Sequence, residues 1–328
     1  MRKFLGFVLV LILLAILWLG NALFNPYGPS QQKFVALRPG SSTRAVARTL
    51  QQEGIIRNYY AFLLLSLFEG RRSLKAGEYA FEHPANAFEV YDRLVRGDVY
   101  VRVVPIPEGY NMFDIAQALD DAHICSKQDF LTVAKDPSLI RDLDPQAPSL
   151  EGYLFPDTYR LGRTENAREI ALEMVKRFRK EAAVIGLTRD FHRVVTMASI
   201  VEKETAVKSE RPLVAGVFEN RMTKRIGLAT DPSVIYAALL AGRYSGVIHQ
   251  SDLAFNSPYN TYRYAGLPPG PIANPGRESL LAAMNPQRTD FLYFVANNQG
   301  GHNFAKSLDE HNRNVANYRR GVAQHHQK

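Results

Sequence analysis

The hydrophobic pattern at residues 194–205 predicts a helix that is apolar on almost every side and ends in two carboxylates. Such a helix belongs in a core, where a carboxylate is costly unless it is paired or neutralised. At about 100° per residue, Glu202 and Glu204 point roughly 200° apart. Apolar surroundings raise the pKa of a carboxyl group, as a general acid at neutral pH requires. The pattern also fits two surface carboxylates at a helix end, one of them paired with Lys203. Apolar residues lie on the Glu204 side of the helix: Met197, Ile200 and Val201.

The first hydrophobic run covers residues 4–24, which include no charged residue. Its 21 residues are enough to cross the ~30 Å hydrocarbon core of a bilayer as a helix. Arg2 and Lys3 precede the run, and positive charge before a span keeps the N-terminus in the cytoplasm. The rival interpretation is a cleaved signal peptide, whose apolar region is usually about 7–15 residues. The pattern predicts a single uncleaved span that leaves everything after Asn25 outside the inner membrane.

Two later segments repeat one hydrophobic pattern at a constant offset of 69 residues. Each predicts a short strand, a glycine turn, an amphipathic helix and a second short apolar element. Ser41 or Ser42 is the expected cap of the first helix. The repeated unit resembles a small LysM-like βααβ module, which is a glycan-binding shape, and a duplication that only builds scaffold fits equally well. The corresponding residues are Gly40 with Gly109, Val46 with Ile115, Leu50 with Leu119 and Ile55 with Ile124.

The rest of the pattern mixes helices and strands, and the predicted fold class is α+β. A turn-rich segment at 256–275 is too rigid for a linker and is expected to form a cleft wall. The predicted strands are 74–81, the end of 149–159, and a buried strand at 292–296 that a turn at 300–304 follows. The predicted helices are 87–96, ended by Gly97, 164–184, 211–221, and one that begins at Asp231 before a proline.

Composition narrows the class of partner. The net charge of +8 suits an acidic surface or polymer, which includes phospholipid headgroups, nucleic acid and anionic cell-wall glycan. The predicted span argues against nucleic acid. The one cysteine, Cys125, allows no intramolecular disulfide. The chain has no Cys/His metal spacing and no Gly-rich phosphate loop, so neither a metal nor a cofactor is predicted.

Taken together, these stretches resemble the endolytic murein transglycosylase family of bacterial inner membranes. The most specific are Ser-Ile-Val-Glu-Lys-Glu-Thr at 199–205, Asn-Thr-Tyr at 260–262 and Gly-Leu-Pro-Pro-Gly-Pro-Ile at 266–272. The resemblance implies cleavage within nascent peptidoglycan strands near the peptidoglycan synthases, leaving 1,6-anhydro-N-acetylmuramic ends. The family's essential glutamate falls on Glu204, which the burial argument selects independently. The matching segments keep the family's order: 74–81, 150–159, 198–207, 230–236, 259–262, 266–270 and 300–304.

The resemblance divides the chain into three regions. Residues 1–25 are the cytoplasmic tip and anchor, residues 30–148 a LysM-like glycan-binding or scaffold region, and residues 149–328 the periplasmic catalytic domain. The alternatives are a membrane-tethered scaffold in which Glu204 is a structural acid, and a muramidase that uses water.

One carboxylate is enough for the implied reaction, because the sugar's own 6-hydroxyl attacks and Glu204 serves as both acid and base. Glycoside hydrolases normally need a second carboxylate. Ordinary structural roles are the alternatives for three candidates: a helix cap for Asp231, a loop ion pair for Glu151 and a satisfied turn histidine for His302. The candidates for a second carboxylate or for sugar contacts are Glu151, Asp157, Asn220, Asp231, Tyr259, Asn260, Tyr262 and His302.

Overall fold

The computed structural model describes residues 2–163 and 165–325. Its contacts divide the chain into two compact units. The first runs to Arg102 and includes a short segment that starts at Arg160, and the second comprises Val103–Tyr159 and the chain from Glu165 onward. Residues 103–148 therefore pack with the second unit, so the compact units do not follow the predicted regional boundary at 148–149. The assignment of functions to the two regions stays a prediction.

The first unit begins with α1 (Arg2–Phe24). Within the described residues, this is the one helix that is long and apolar enough to cross a membrane. The end of α1 is part of the unit's core, because Ala22 and Leu23 are buried there. The predicted apolar helix at the N-terminus is thus present as a continuous element.

The remainder of the first unit is a βααβ arrangement followed by one helix. The Ser42 hydroxyl caps the first of these helices by accepting a hydrogen bond from the Ala45 N–H at 3.2 Å. The last helix ends at Gly97 in a left-handed conformation, as predicted. The first and last strands of the arrangement pair antiparallel. The elements are β1 (Lys33–Leu37), α2 (Thr43–Gln52), α3 (Tyr59–Phe68), β2 (Gly77–Phe81) and α4 (Ala87–Arg96).

A second βααβ arrangement follows, and its two strands also pair with each other. Its first strand and first helix have bounds that lie 69 residues after those of β1 and α2. Both turns contain a left-handed glycine, Gly40 with φ 75° and Gly109 with φ 78°. The predicted strand, turn and helix therefore occur in both copies, while their LysM-like character stays a prediction. These elements are β3 (Arg102–Ile106), α5 (Met112–Asp121), α6 (Lys127–Ala134) and β4 (Asp157–Leu161).

The rest of the second unit is mainly helical. At its centre lies a helix in which every residue from Val194 to Val201 is buried, as its apolar sequence requires. The elements are α7 (Ala167–Ile185), α8 (Phe191–Glu204), α9 (Arg211–Thr223), α10 (Asp231–Leu240), α11 (Gln250–Leu253), α12 (Arg277–Met284), β5 (Tyr293–Ala296), β6 (His302–Ala305) and α13 (Leu308–His325). The observed fold is mixed α+β, as predicted.

Three local predictions need correction. The segment 300–304 is not only a turn, because β6 begins at His302 and pairs antiparallel with β5. Strand β5 is half-buried rather than buried, since the two-stranded hairpin has few neighbours beyond α13. The helix predicted from Thr164 begins at Ala167, where the Asn166 side chain accepts from the first-turn N–H groups. Thr164 itself lies outside the described residues.

Candidate active site

Glu204 is the last residue of α8. Its Oε1 atom is buried and has no hydrogen-bond partner within the described residues. Burial raises the pKa of Glu204 to about 7, the Asp231 carboxylate adds to the rise, and the Arg221 guanidinium opposes it. A carboxyl group with this pKa is populated in both protonation states near neutral pH, so it can donate or accept a proton.

The two residues before Glu204 are held by partners. Glu202 forms a buried ion pair, in which Arg211 Nη2 donates to Glu202 Oε1 at 2.7 Å. The Gly276 N–H donates to the other Glu202 oxygen at 3.0 Å. Lys203 Nζ donates to the Gly109 carbonyl at 3.2 Å rather than to a glutamate. The alternative of two surface carboxylates, one paired with Lys203, is therefore wrong. Of the pair, only Glu204 has a buried oxygen without a partner in the described part of the chain.

A cavity of about 440 Å³ lies beside Glu204. Its size falls within the range of small-molecule sites, roughly 300–1,000 Å³. Its wall combines a carboxylic acid, aromatic rings and polar side chains, and such rings offer apolar faces with polar tips to a sugar. The lining residues are Lys203, Glu204, Arg221, Leu228, Ala229, Thr230, Asp231, Pro232, Tyr262, Tyr293, Phe294, Leu308 and His311.

Two of the predicted residues form one wall of the cavity. Asp231 is the first residue of α10, and it accepts a hydrogen bond from the Tyr262 hydroxyl at 2.7 Å. Burial, followed by this bond to Asp231, raises the pKa of Tyr262 above its usual value, so the phenol stays protonated and donates. Among the residues that the structure describes, no side-chain hydrogen bond caps the start of α10, so the helix-cap alternative for Asp231 is wrong. A hydrogen bond joins the two segments of this wall, because the Thr230 N–H donates to Thr261 Oγ1 at 3.0 Å.

The other wall is formed by residues outside the predicted set, among them Arg221 and His311. Arg221 on α9 donates from Nε to the Leu292 carbonyl at 2.6 Å and from Nη1 to the Leu228 carbonyl at 2.7 Å. The His311 ring stacks on Tyr293 with centroids 5.3 Å apart, and its buried Nδ1 has no partner in the part of the chain that the structure describes. Burial, and then the Arg221 charge, lower the pKa of His311 and favour the neutral imidazole. Sequence offers little signal for either residue beyond the closeness of Arg221 to Asn220.

Two predicted carboxylates lie outside this cavity. Glu151 accepts from the Met112 N–H at 2.9 Å and from Asn274 Nδ2 at 2.7 Å. Burial raises the pKa of Glu151 to about 8, although the hydrogen bond from the Met112 N–H acts to lower that pKa. Its partners, which include the Tyr236 hydroxyl, are uncharged, so it is not a loop ion pair. Asp157 lies on β4 and pairs with Arg177 Nε at 2.6 Å.

The remaining predicted residues make structural contacts away from the cavity lining. Asn220 Nδ2 donates to the carbonyls of Thr289 and Phe291, and Asn260 Nδ2 donates to those of Leu253 and Phe255. Tyr259 is buried, with its ring 5.1 Å from that of Tyr236. His302 Nδ1 lies 2.6 Å from Glu210 Oε2, as the satisfied-histidine alternative expects, although His302 is in a strand. The structure thus brings together Glu204, Asp231 and Tyr262 from the predicted set.

Comparisons with known proteins agree on one family. The sequence model of the YceG-like family matches residues 35–317. A Bacillus subtilis protein named endolytic murein transglycosylase is 32% identical over 324 residues, which cover 91% of this chain and 89% of the relative. A Streptococcus pneumoniae R6 protein of the same name is 28% identical over 89% of this chain, and the match spans only 60% of that relative. A crystal structure of a yceG-like protein from Listeria monocytogenes is similar with a TM-score of 0.56 and 33% identity, covering 87% of this chain and 99% of the other.

Proposed function

Because the chain belongs to the YceG-like family, we propose that it is an endolytic murein transglycosylase, a lyase that acts on peptidoglycan. The finer proposal is cleavage of the MurNAc–GlcNAc bond within nascent glycan strands. The products are 1,6-anhydro-MurNAc ends, and their formation terminates strand elongation. The observation that carries the proposal is the environment of Glu204, a partly buried acid with a pKa of about 7 beside a cavity of about 440 Å³. Its buried Oε1 has no hydrogen-bond partner within the described residues.

The first step is proton donation by Glu204. In its protonated form, Glu204 gives its proton to the glycosidic oxygen while the bond from that oxygen to C1 of the muramic sugar breaks. The GlcNAc end leaves as a neutral alcohol, and positive charge develops at C1. Because its pKa is raised to about 7, Glu204 is able to carry the required proton near neutral pH.

The second step returns the proton. The Glu204 carboxylate accepts a proton from the 6-hydroxyl of the same muramic sugar, and O6 forms the new bond to C1. This closes the 1,6-anhydro ring, regenerates protonated Glu204 and consumes no water. Attack within one sugar has an entropic advantage over attack by a second molecule.

The cavity walls have different roles in this proposal. The Asp231 carboxylate, held by the Tyr262 hydroxyl at 2.7 Å, stabilises the positive charge that develops near C1. The unpartnered Nδ1 of neutral His311 is available for a hydrogen bond to a sugar substituent. Tyr293 contributes an aromatic face to the same cavity.

A water-using muramidase is the second candidate, and one observation favours it. Asp231 lines the same cavity as Glu204, so it is available as the second carboxylate that activates water in an inverting or retaining glycosidase. The reaction would then leave reducing MurNAc ends. A scaffold without catalysis is the third candidate, and it predicts no new ends at all.

The cellular placement is also proposed. The α1 helix is a single-pass anchor in the inner membrane, with the N-terminus in the cytoplasm and the catalytic part in the periplasm. The LysM-like arrangements bind glycan strands. The peptidoglycan synthases are the proposed partners, because the enzyme would act on strands as they are made.

Mass spectrometry of products tests the proposal. The purified full chain is incubated with uncrosslinked glycan strands, and the new ends are identified by mass. We expect anhydro ends, which lie one water below reducing ends, and none from a Glu204→Gln preparation. Reducing ends would establish the muramidase, and absence of cleavage by the wild-type chain would favour the scaffold.

A further inference from the structure

Helix α3 exposes an apolar face in the first unit. The helix contains no charged residue, and one side of it, with Ala61, Phe62 and Leu65, is buried in the unit's core. The opposite side has an exposed row at spacings of three and four residues, which is one face of a helix. Among the described residues outside α1, no other helix carries such a row of exposed large apolar side chains. The α3 stripe consists of Tyr60 at 63% exposure, Leu64 at 37%, Leu67 at 50% and Phe68 at 80%.

The same unit contains the outer end of the proposed anchor. Helix α1 packs against α3 and α4. Leu19 packs against the core cluster, and Phe24 stacks on Phe88 with ring centroids 5.1 Å apart. The last turns of α1 therefore pack directly against the first unit, and no free linker separates the two.

The packing of the first unit against the end of α1 determines how deeply the unit enters the membrane. Crossing a bilayer takes about 20 apolar residues, and the apolar run has 21, so nearly all of it is needed inside the hydrocarbon core. Leu19 lies five residues before the end of the run, or ~7 Å along a helix that rises ~1.5 Å per residue. A surface that contacts Leu19 must then enter the membrane interface, at the ~5–10 Å depth that amphipathic interfacial helices occupy.

Arginines lie near the Tyr60 end of the stripe and near the end of α1. Arg44 and Arg48 interact electrostatically with Tyr60, and the Arg57 guanidinium lies 4.8 Å from the ring centre of Tyr27, three residues after α1. Arginine beside an exposed apolar helix face suits anionic headgroups at the level of the phosphates. In the sequence, two further arginines follow α3 and one acid intervenes: Arg71, Arg72 and Glu69.

We propose that the α3 stripe, formed by Tyr60, Leu64, Leu67 and Phe68, lies in the outer interface of the membrane that holds α1, with the neighbouring arginines at the lipid phosphates. The proposal rests on the proposed anchor and is independent of Glu204. The first unit then has two contacts with the membrane, a span and an interfacial face, so it does not swivel freely about α1.

A depth measurement tests the stripe in the full chain. A Cys125→Ser background carries a single cysteine at Leu67, labelled with an environment-sensitive fluorophore, and the protein is reconstituted in vesicles of phosphatidylethanolamine and phosphatidylglycerol. The quenchers are a lipid with a spin label near the headgroup and aqueous iodide. The matched control is a cysteine at Asp92 on α4, an exposed helical position of the same unit. Phe68→Cys is a second reporter in case Leu67→Cys does not fold.

We expect the Leu67 label to be quenched severalfold more by the spin-labelled lipid than the Asp92 label, and to be protected from iodide. Equal iodide quenching at the two sites would place the stripe in water and overturn the proposal. Protection from both quenchers would mean that a protein, such as a second copy of this chain, covers the stripe, which also overturns it. Flotation of the vesicles distinguishes failure of the proposed anchor from failure of the proposed stripe. A chain that does not float with the vesicles refutes membrane anchoring by α1. A floating chain whose label is accessible to iodide refutes only the interfacial position of the α3 stripe.

Discussion

At the level of single residues, the two carboxyl groups at the end of α8 differ in their hydrogen-bond and ion-pair partners. Glu202 accepts hydrogen bonds from the Arg211 guanidinium and the Gly276 N–H. Glu204 has a buried oxygen without such a donor, so burial raises its pKa to about 7. Two residues apart on one helix, one carboxyl group is held by donors, whereas the other can exchange a proton at neutral pH.

Replacing Glu204 by Gln should remove nearly all cleavage. The amide keeps the size of the side chain but has no titrating proton, and general acid–base catalysis is typically worth about 10²–10⁴-fold. The variant should fold, because no charge is left to bury. Rates on uncrosslinked strands and melting temperatures measure the two effects. Glu219→Gln, at a partly exposed position on α9 that pairs with Arg193, is the control and should keep its activity. An active Glu204→Gln would move the catalytic acid elsewhere, with Asp231 next to test.

Replacing Glu202 by Gln should instead destabilise the fold. The structure buries Glu202 in an ion pair with Arg211. After the change, the nearest remaining acid is Glu108, 3.6 Å from Arg211 Nη1. Breaking a buried pair by removing one partner costs on the order of 3 kcal/mol. Denaturant unfolding measures the loss, and a midpoint equal to that of Glu219→Gln would contradict the prediction.

Replacing Asp231 by Asn should shift the pH profile. The Asp231 carboxylate contributes to the raised pKa of Glu204, after burial, so its removal lowers that pKa. Cleavage needs protonated Glu204, and kcat/KM therefore falls as pH rises through the pKa. The alkaline limb, expected near pH 7 in the wild type, should move to lower pH in Asp231→Asn. Asp157→Asn, which changes a carboxylate outside the cavity lining, should leave the limb in place. An unmoved or raised limb in Asp231→Asn would refute the electrostatic coupling.

At the level of elements, α9 depends on a glycine to approach its neighbour. A Cβ at Gly216 would lie 2.1 Å from the Gln287 carbonyl oxygen, and the Gln287 N–H donates to the Pro212 carbonyl at 2.9 Å. A Gly→Ala change inside a helix usually stabilises it by about 0.5–1 kcal/mol. Here the sign should reverse, with a loss of about 1–3 kcal/mol from overpacking. The unfolding midpoint decides the sign, and Thr223→Ala at the exposed end of α9 should change it little.

Elements were predictable from sequence where their signals are local. The helix α4 keeps its predicted bounds because Gly97 ends it in a left-handed turn. The sequence predicts a turn where β6 lies because two glycines, 300 and 301, directly precede the strand and outweigh the short apolar pattern that follows. The segment forms a strand because it pairs with β5. The hydrophobic pattern of the segment itself does not encode pairing with another segment.

The same limit applies to the site. Glu204 was predictable because its apolar row lies on its own helix. Asn220 and Asn260 instead donate to backbone carbonyls, and polarity alone does not distinguish such an anchoring amide from a sugar ligand. His311 reaches the cavity only because α13 packs on β5, a contact between distant parts of the sequence that hydrophobic periodicity does not encode.

At the level of the whole molecule, the two copies of the repeat are used differently. The first packs against α1 within its unit. In the second, the Gly109 carbonyl accepts from Lys203 next to Glu204, and the Gly109 N–H donates to the Asn274 carbonyl. The equivalent turn glycine of the first copy, Gly40, has open space around its Cβ position. The first copy of the βααβ arrangement is thus part of the unit that contains the proposed anchor, and the second copy is part of the proposed catalytic unit.

The last prediction concerns orientation in the membrane. An alkaline phosphatase, active only outside the cytoplasm, is fused after Lys328, which lies outside the described residues. The fusion should be active, because Arg2 and Lys3 hold the N-terminus inside and α1 supplies one crossing. The same reporter fused after Lys3, before the apolar run, should be inactive. Mass analysis of the C-terminal fusion should recover the intact N-terminus, whereas its loss would indicate a cleaved signal peptide. An inactive but stable C-terminal fusion would mean that the chain remains in the cytoplasm, and the proposed action on periplasmic glycan would then be excluded.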